Sequence, residues 1–485
     1  MIALRRRLVW CAVAGVILVY LIVLVLSTSV RVGYPAELTY GESIVLDQAR
    51  RVASEQPLYP PPLDLPLTVT AYPPLYYMLV GTLQRVSGDS GYIVGRLVSA
   101  TAMLSSAVLL AWCVRSVAGR WAAGVLSGAL FLTQNLTVLV WASAHRVDPL
   151  ALCLTLGGLA LASAGRTRIA ALALMLAVFT KHSYLAAPLA ICALLWPCRR
   201  MLLTFVGVFA GGLTLLVGLT VVLVGSSFFW HTIVANAVPW DLQYFVAQFG
   251  ALLQFNALPL CLAASAFALP ERSGERLWRA YFVTSCVLSL VTIGKIGASS
   301  NYWLELSAAT AALIGVAACR LATDSRRTAP FGATAFASLV LAALVMSMPA
   351  YQATAYAALT APLTGPSGAT PPQLTTAQLV ASEPADVLTD DPGLALMAGK
   401  SIQFEFVIFT LLATQGFWDE RPILDAIRDQ RFGLVILTQP LETPSPGLIE
   451  ARWTETVRQA LQSAYAPADQ HDGYYLYRPT TARAE

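Results

Sequence analysis

A train of apolar stretches, each near the ~20 residues a helix needs to cross the hydrocarbon core of a bilayer, leaves this chain few folds to choose from. The stretches lie at 8–29, 93–114, 121–141, 149–164, 169–180, 184–197, 201–225, 245–269, 279–294, 302–318 and 331–349, and they predict about eleven transmembrane helices. Charged residues make up 12% of the chain, against roughly 25% in soluble domains. A soluble surface of this size would need more charge, whereas membrane-spanning helices need almost none.

The links between the stretches alternate in character. One set carries Arg5, Arg6 and Arg7; Arg115 and Arg120; Arg166 and Arg168; Arg199 and Arg200; Arg272, Arg276 and Arg279; and Arg320, Arg326 and Arg327. The other set holds Arg146 with Asp148, Lys181 with His182, Asp241, and Lys295, with no cluster. Basic links face the cytoplasm, so the N-terminus is predicted inside a cytoplasmic (inner) membrane and everything after Pro349 outside. The apolar run Leu8–Leu26 after Arg5–Arg7 is too long for the core of a secretory signal, and it reads as an uncleaved first span. The eight cysteines lie in or beside apolar stretches without metal-ligand spacing and read as small hydrophobes. No basic block points to nucleic acid.

Two outer segments are long. In the first, Val30 to about Tyr92, residues 42–54 have helical character, a Pro-rich stretch (Pro57, Pro60, Pro61, Pro62, Pro66) must be extended, and Tyr72-Pro73-Pro74-Leu75 opens a second helix suited to the membrane interface. The second begins with helix-prone residues 351–361 and a Pro/Thr/Gly linker. It continues with strand-like runs at 386–389, 432–437 and 474–477, separated by helical stretches at 403–415, 419–430 and 453–464. That alternation predicts a small α/β domain. The expected organisation is a transmembrane catalytic domain at 1–349 with its outer loop at 30–92, a linker at 350–376, and an extracytoplasmic domain at 377–485.

Polar residues at the outer ends of spans are the candidates for chemistry, because burial is costly there. Of three lysines, Lys181 and Lys295 sit at outer ends; each either neutralises an anionic ligand or makes a structural ion pair. Arg146 and Asp148 either pair with one another or leave the Arg146 fork for a phosphate or sugar oxygen. Asn301, Tyr302 and Glu305 start the tenth span, and Lys295 is near enough in sequence to be the partner of Glu305. His145, His182 and His231 share the predicted outer rim. A divalent metal is compatible with them, though their spacing does not demand one, and no cofactor is required. Glu42, after Gly41, reads in isolation as a solvated charge at a helix start.

Taken in order, Glu42, the Tyr72-Pro73-Pro74-Leu75 segment, Arg96, and Arg146-x-Asp148 resemble the GT-C superfamily of lipid-linked-sugar glycosyltransferases. The branch is that of the protein mannosyltransferases and the bacterial aminoarabinose transferase, and the resemblance spans roughly residues 1–320. It implies that Glu42 is the catalytic base. The family often has Asp or Asp-Glu where Gly41-Glu42 stands, and His where Tyr72 stands, so Asp47 is a rival base. The expected activity is inverting transfer of a sugar from a polyprenyl-phosphate donor to a glycan, lipid or protein acceptor. The donor's phosphate and sugar would be held by residues among Tyr72, Arg96, Arg146, Asp148, Lys181, His182, Lys295, Asn301, Tyr302 and Glu305. A transporter or lipid-linked-sugar flippase is the alternative, against which stand the lack of an internal repeat and the few charges at midplane depth.

Overall fold

The computed structural model describes residues 2–134, 136–323, 329–360, 372–443 and 452–480. Arg326, Arg327 and residues 361–371 of the expected linker lie outside them. The chain is mostly helical and divides into two compact units. One comprises Met1–Val32, Arg96–Gly218 and Trp240–Leu359; the other comprises Gly33–Gly95, Leu219–Pro239 and Thr360–Glu485.

The first unit is a bundle of apolar helices. In chain order the helices are α1 (Ile2–Val32), α2 (Glu42–Ala53), α3 (Leu75–Ser87), α4 (Ile93–Ala118), α5 (Trp121–Thr133), α6 (Leu136–Trp141), α7 (Asp148–Ser163), α8 (Thr167–Val178), α9 (Ala186–Leu195), α10 (Arg199–Val224), α11 (Ser227–Phe229), α12 (Leu242–Ala264), α13 (Arg276–Thr292), α14 (Leu304–Thr323) and α15 (Ala329–Thr360). All but α2, α3 and α11 belong wholly or mainly to this unit. Among the described residues, six helices are long and apolar enough to cross a membrane: Leu4–Val32, Ile93–Ala118, Arg199–Val224, Leu242–Ala268, Ser300–Thr323 and Gly332–Pro349. Shorter apolar helices, α5, α7, α8 and α9, accompany them. The stretch expected as one span at 121–141 is two helices, α5 and α6.

Lipid tails are as apolar as leucine, so helices in a bilayer associate through close backbone approach at small residues. Here α5 is the centre of that packing. A Cβ on Gly124 would lie 2.2 Å from the Ala111 carbonyl oxygen of α4, and one on Gly128 would lie 2.7 Å from that of Ala107. On its other side, Gly315 of α14 approaches Ser127 and the Ala123 carbonyl so closely that a Cβ would meet Oγ at 1.9 Å. The core gathers alanines of α14 (Ala308, Ala309, Ala311, Ala312) around Leu130 and Phe131 of α5.

The second unit joins the first outer segment to the C-terminal segment. The latter contributes α16 (Pro372–Ser382), β1 (Asp386–Thr389), α17 (Pro392–Met397), α18 (Phe406–Thr414), α19 (Arg421–Arg428), β2 (Phe432–Leu437), α20 (Glu455–Ala464), β3 (Tyr465–His471) and β4 (Tyr474–Pro479). The sheet order is β1-β2-β4-β3, with β1 and β2 parallel and the other pairs antiparallel. Successive side chains of a strand point to opposite faces. Leu434 and Ile436 accordingly pack on one side with Val380 and Leu394, while Val435 and Leu437 pack on the other with Phe409, Ile423 and Leu461.

That second layer also contains Leu67 and Val69 of the outer segment. Leu67 bridges Phe404 in parallel: its N–H donates to the Gln403 carbonyl at 2.8 Å, and its carbonyl accepts from the Glu405 N–H at 2.9 Å. The Glu405 carboxylate then accepts from the Val69 N–H at 2.8 Å. In addition, Leu46 of α2 packs with Leu396 and Ile402. The outer segment is thus a structural part of the sheet domain's own core.

Gly128→Val puts a branched side chain against the backbone of α4, which cannot give way. It is expected to cost about 1–3 kcal/mol, read as a lowered thermal midpoint in detergent. Gly207→Ala, where a Cβ meets nothing within 4 Å, should leave the midpoint unchanged.

Candidate functional site

Candidate residues form one cluster in each unit. In the first unit the cluster centres on Asp148, the first residue of α7, with Pro149 in the first turn pre-setting the helical backbone. Asp148 is fully buried. Its Oδ1 accepts from Lys181 Nζ at 2.5 Å and from Asn301 Nδ2 at 2.9 Å, and its backbone carbonyl accepts from the Tyr184 hydroxyl at 3.1 Å. Oδ2 has no hydrogen-bond partner among the described residues. Lys181 Nζ also lies 4.7 Å from the centre of the Tyr302 ring, close enough for a cation–π attraction. Asp148 therefore pairs with Lys181, while the Arg146 guanidinium lies over the Trp141 ring at 5.3 Å.

Lys295 forms no ion pair among the described residues, and its backbone bridges Trp240. Burial, and then the charge of Lys181, pull its ammonium below the usual lysine value. His182 is pulled down to about 4 by burial, with Lys181 and Lys295 acting in the same direction, so its ring is neutral at pH 7. Two lysines and a neutral histidine thus share one electrostatic neighbourhood, in which Lys181 acts on both Asp148 and Glu305. Glu305 is partnered by the Tyr281 hydroxyl (3.3 Å) rather than by Lys295, and the N–H groups of Ala186 and Ala187 that open α9 also act on its carboxylate. That is the favourable place for a carboxylate, at the positive end of a helix. Arg96 is also fully buried in this unit; its Nη1 donates to the Arg31 carbonyl at 2.8 Å, near the carboxyl end of α1.

In the second unit Glu42 opens α2. Gly41 before it has φ +88°, a left-handed conformation that glycine adopts without a Cβ penalty, and this folds the chain so that the Glu42 side chain turns back. Its Oε2 accepts from the Leu38 N–H at 2.7 Å and the Thr39 N–H at 3.4 Å, and the residue is fully buried. In isolation the sequence reads a solvated charge here; the turn made possible by Gly41 buries it instead. Beside it stands Glu37, which the sequence reading passed over. Glu37 accepts from the Ser43 hydroxyl, and Ser43 Oγ contacts the Tyr92 hydroxyl at 2.6 Å. Burial pushes the Glu37 carboxyl up to about 8; the Ser43 hydrogen bond opposes this, and the charges of Glu42 and Asp391 add to it. The only sequence signal was a second glutamate five residues before Glu42, in a segment with no periodicity to place it.

Asp47 pairs with Arg51 at 2.9 Å, and Arg51 Nη2 donates to Thr68 Oγ1 at 2.6 Å. Burial raises the Asp47 carboxyl while Arg51 lowers it. Tyr72 presents its backbone carbonyl to the Tyr59 hydroxyl at 2.9 Å. His231 has both ring nitrogens on backbone, Nδ1 accepting from the Thr70 N–H at 3.1 Å and Nε2 at 2.7 Å from the Pro60 carbonyl, so neither is available to a metal ion. Among the described residues no group of three or more His, Cys, Asp or Glu side chains is placed to hold a metal ion.

No protein-family model matches the chain, and no curated protein matches it in sequence. Solved structures do match in three dimensions. The crystal structure of ArnT from Cupriavidus metallidurans bound to undecaprenyl phosphate superposes with TM-score 0.64 at 15% identity, over 96% of this chain and 98% of that one. The chain has the ArnT fold. The same protein in the apo state gives TM-score 0.64 at 14% identity with the same coverage. The Archaeoglobus fulgidus oligosaccharyltransferase in complex with Zn and sulfate gives TM-score 0.47 at 13% identity, over 95% of this chain and 73% of that one. The fold implied by the resemblance to the aminoarabinose transferase is thus the fold found, over nearly the whole length.

Two outcomes follow from these clusters. Lys181→Met leaves the buried Asp148 carboxylate without its cation and is expected to cost about 3–5 kcal/mol of stability. Adding Asp148→Asn should recover most of that loss, and a loss that persists in the double variant would show that the two residues do not act as a pair. Folded Glu37 keeps its proton to about pH 8, whereas the unfolded chain releases it near the ordinary glutamate value. Its contribution to stability is therefore fully present below the unfolded value and is lost as pH rises to about 8. The difference between wild type and Glu37→Gln in thermal midpoint should shrink or reverse across that window.

Proposed function

We propose that this chain is a glycosyltransferase that takes a sugar from a polyprenyl-phosphate donor and passes it to an acceptor at the outer face of the cytoplasmic membrane. The observation that carries the reading is the ArnT fold over 96% of the chain, together with the undecaprenyl phosphate that ArnT holds in its crystal structure. A donor of that kind keeps its tail in the bilayer and presents its sugar phosphate at the surface, which suits a multi-pass membrane protein. In this reading the basic links face the cytoplasm, with the N-terminus inside and the sheet domain outside.

In this reading the Glu42 carboxylate takes the proton of an acceptor hydroxyl as its oxygen attacks the anomeric carbon. The bond from that carbon to the phosphate oxygen breaks, the electron pair leaves with the polyprenyl phosphate, and the configuration inverts. One carboxylate suffices, whereas a hydrolase usually needs two flanking the bond. Burial of Glu42 supports the role, since a base away from water is not levelled by it. Asp47, already committed to Arg51, is the weaker candidate. Lys295 is the cation we assign to the donor phosphate, because Lys181 is engaged by Asp148. Asn301, Tyr302, His182 and Arg146 stand in the same unit to orient donor oxygens.

Glu42→Gln keeps an oxygen to accept from Leu38 and Thr39, so expression and membrane insertion should persist. Transfer from a radiolabelled polyprenyl-phosphate sugar should fall by a factor of at least about 10². Turnover near that of wild type would remove Glu42 from the mechanism. Lys295→Ala should raise the KM for the donor more than it lowers kcat.

A further inference from the structure

The first unit also carries a concave feature lined by residues other than those above. A groove of about 700 Å³ runs between α1, α5 and α14, within the range of ligand pockets. Its space exists because small residues (Ala14, Ala122, Ala318 and Ala322) line it, where the flanking positions Leu18 and Val125 carry bulk and face outward. All three helices are apolar, and the groove opens on the side that lipid covers. Its occupant in a membrane is therefore a hydrocarbon chain.

One end of the groove is charged. Arg120, which precedes α5, lines it there and is exposed. Its guanidinium has no ion pair or hydrogen bond among the described residues. Arg272 and Arg320 lie with it in electrostatic reach of Cys319, another lining residue. The carboxylates of this region are already committed, Glu275 to Arg320 (2.7 Å) and Arg279 (3.1 Å), and Glu271 to Arg276 (2.5 Å). Positive charge is left over at Arg120 and Arg272. Trp10 stands at the same end of the groove, and Trp121 lies under the Arg115 guanidinium at 4.5 Å, the aromatic signature of a membrane–water interface.

We infer that this groove binds an anionic phospholipid, one acyl chain lying between α1, α5 and α14 and the headgroup phosphate on Arg120. Basic pockets between transmembrane helices on the face with basic links are where such headgroups bind. The site is independent of the sugar-transfer reading, and it faces the leaflet that the basic links face.

Native mass spectrometry of the full-length protein in mild detergent tests it, with phosphatidylglycerol, phosphatidylethanolamine or undecaprenyl phosphate added at equal concentration. Wild type should retain phosphatidylglycerol over phosphatidylethanolamine by about fivefold for each arginine engaged. Arg120→Gln, an exposed change, should bring the two phospholipids to the same level. Ala14→Phe should displace both by filling the groove, with an unchanged thermal midpoint showing that the bundle is intact; Arg120→Gln decides alone if that variant fails to fold. Equal retention of the two phospholipids by wild type overturns the proposal, as does unaltered phosphatidylglycerol binding by Arg120→Gln. Preferential retention of undecaprenyl phosphate overturns it too, by making the groove a site for polyprenyl lipid.

Discussion

A carboxylate removed from water has to be met by charge and by hydrogen-bond donors, and in this protein that requirement falls on Asp148. Its partners come from separate parts of the chain: Lys181 from the link between α8 and α9, Asn301 from the turn before α14, and Tyr184 from just beyond Lys181. Leaving one partner out costs far more than the net worth of the pair, so the contact acts as a condition that only one arrangement of helix ends satisfies. Lipid-facing surfaces cannot supply such a condition, because one apolar face is much like another. A single buried ion pair therefore specifies the register in which α7, α9 and α14 meet.

The condition can be met only because the helices between these ends approach closely enough. Gly124, Gly128 and Gly315 remove the side chains that would hold α5 away from α4 and α14. α6 then brings the Trp141 indole to the Ser300 hydroxyl at 3.0 Å, one residue before Asn301. Small-residue packing and polar pairing are thus two stages of one arrangement. The first sets the spacing and the second sets the axial position. The cost is that the Lys181 charge is engaged by Asp148. Lys295 has no carboxylate of its own among the described residues.

The fold was largely legible in the sequence, because apolar length and arginine placement are properties of single segments. Strands β1 and β2 occupy 386–389 and 432–437, where runs of Val, Leu and Ile announced them. Strand β3 was not read: Tyr465-Ala466-Pro467-Ala468-Asp469-Gln470-His471 is an exposed edge carrying a proline, which edge strands tolerate. α5 and α6 read as one span because apolarity does not mark where a helix breaks. The candidate residues were found as types but not as partners. Asp148 to Lys181 spans 33 positions, and Asp148 to Asn301 spans 153, distances over which no local pattern operates. Glu37 was missed for the same reason, since its raised proton affinity comes first from burial, to which the charges of Glu42 and Asp391 add against the opposing Ser43 hydrogen bond, and these meet only in three dimensions.

That last meeting bears on the C-terminal segment, which the sequence predicts as a small domain of its own. Asp391 and Gly393 belong to its loop and helix α17, and a Cβ on Gly393 would lie 3.0 Å from the Glu37 Cβ. The segment therefore reaches the carboxyl pair itself. Tyr474 of β4 holds Asp391 by a hydrogen bond at 2.7 Å, and Asp391 caps α17 through the Leu394 N–H. The sheet positions Asp391, Asp391 positions α17, and α17 closes on the turn that carries Glu37 and Glu42. Together with the pairing of Leu67 to Phe404, this ties the geometry around Glu42 to the folding of residues more than 300 positions away. The sheet domain is therefore part of what encloses the Glu37 and Glu42 carboxyls.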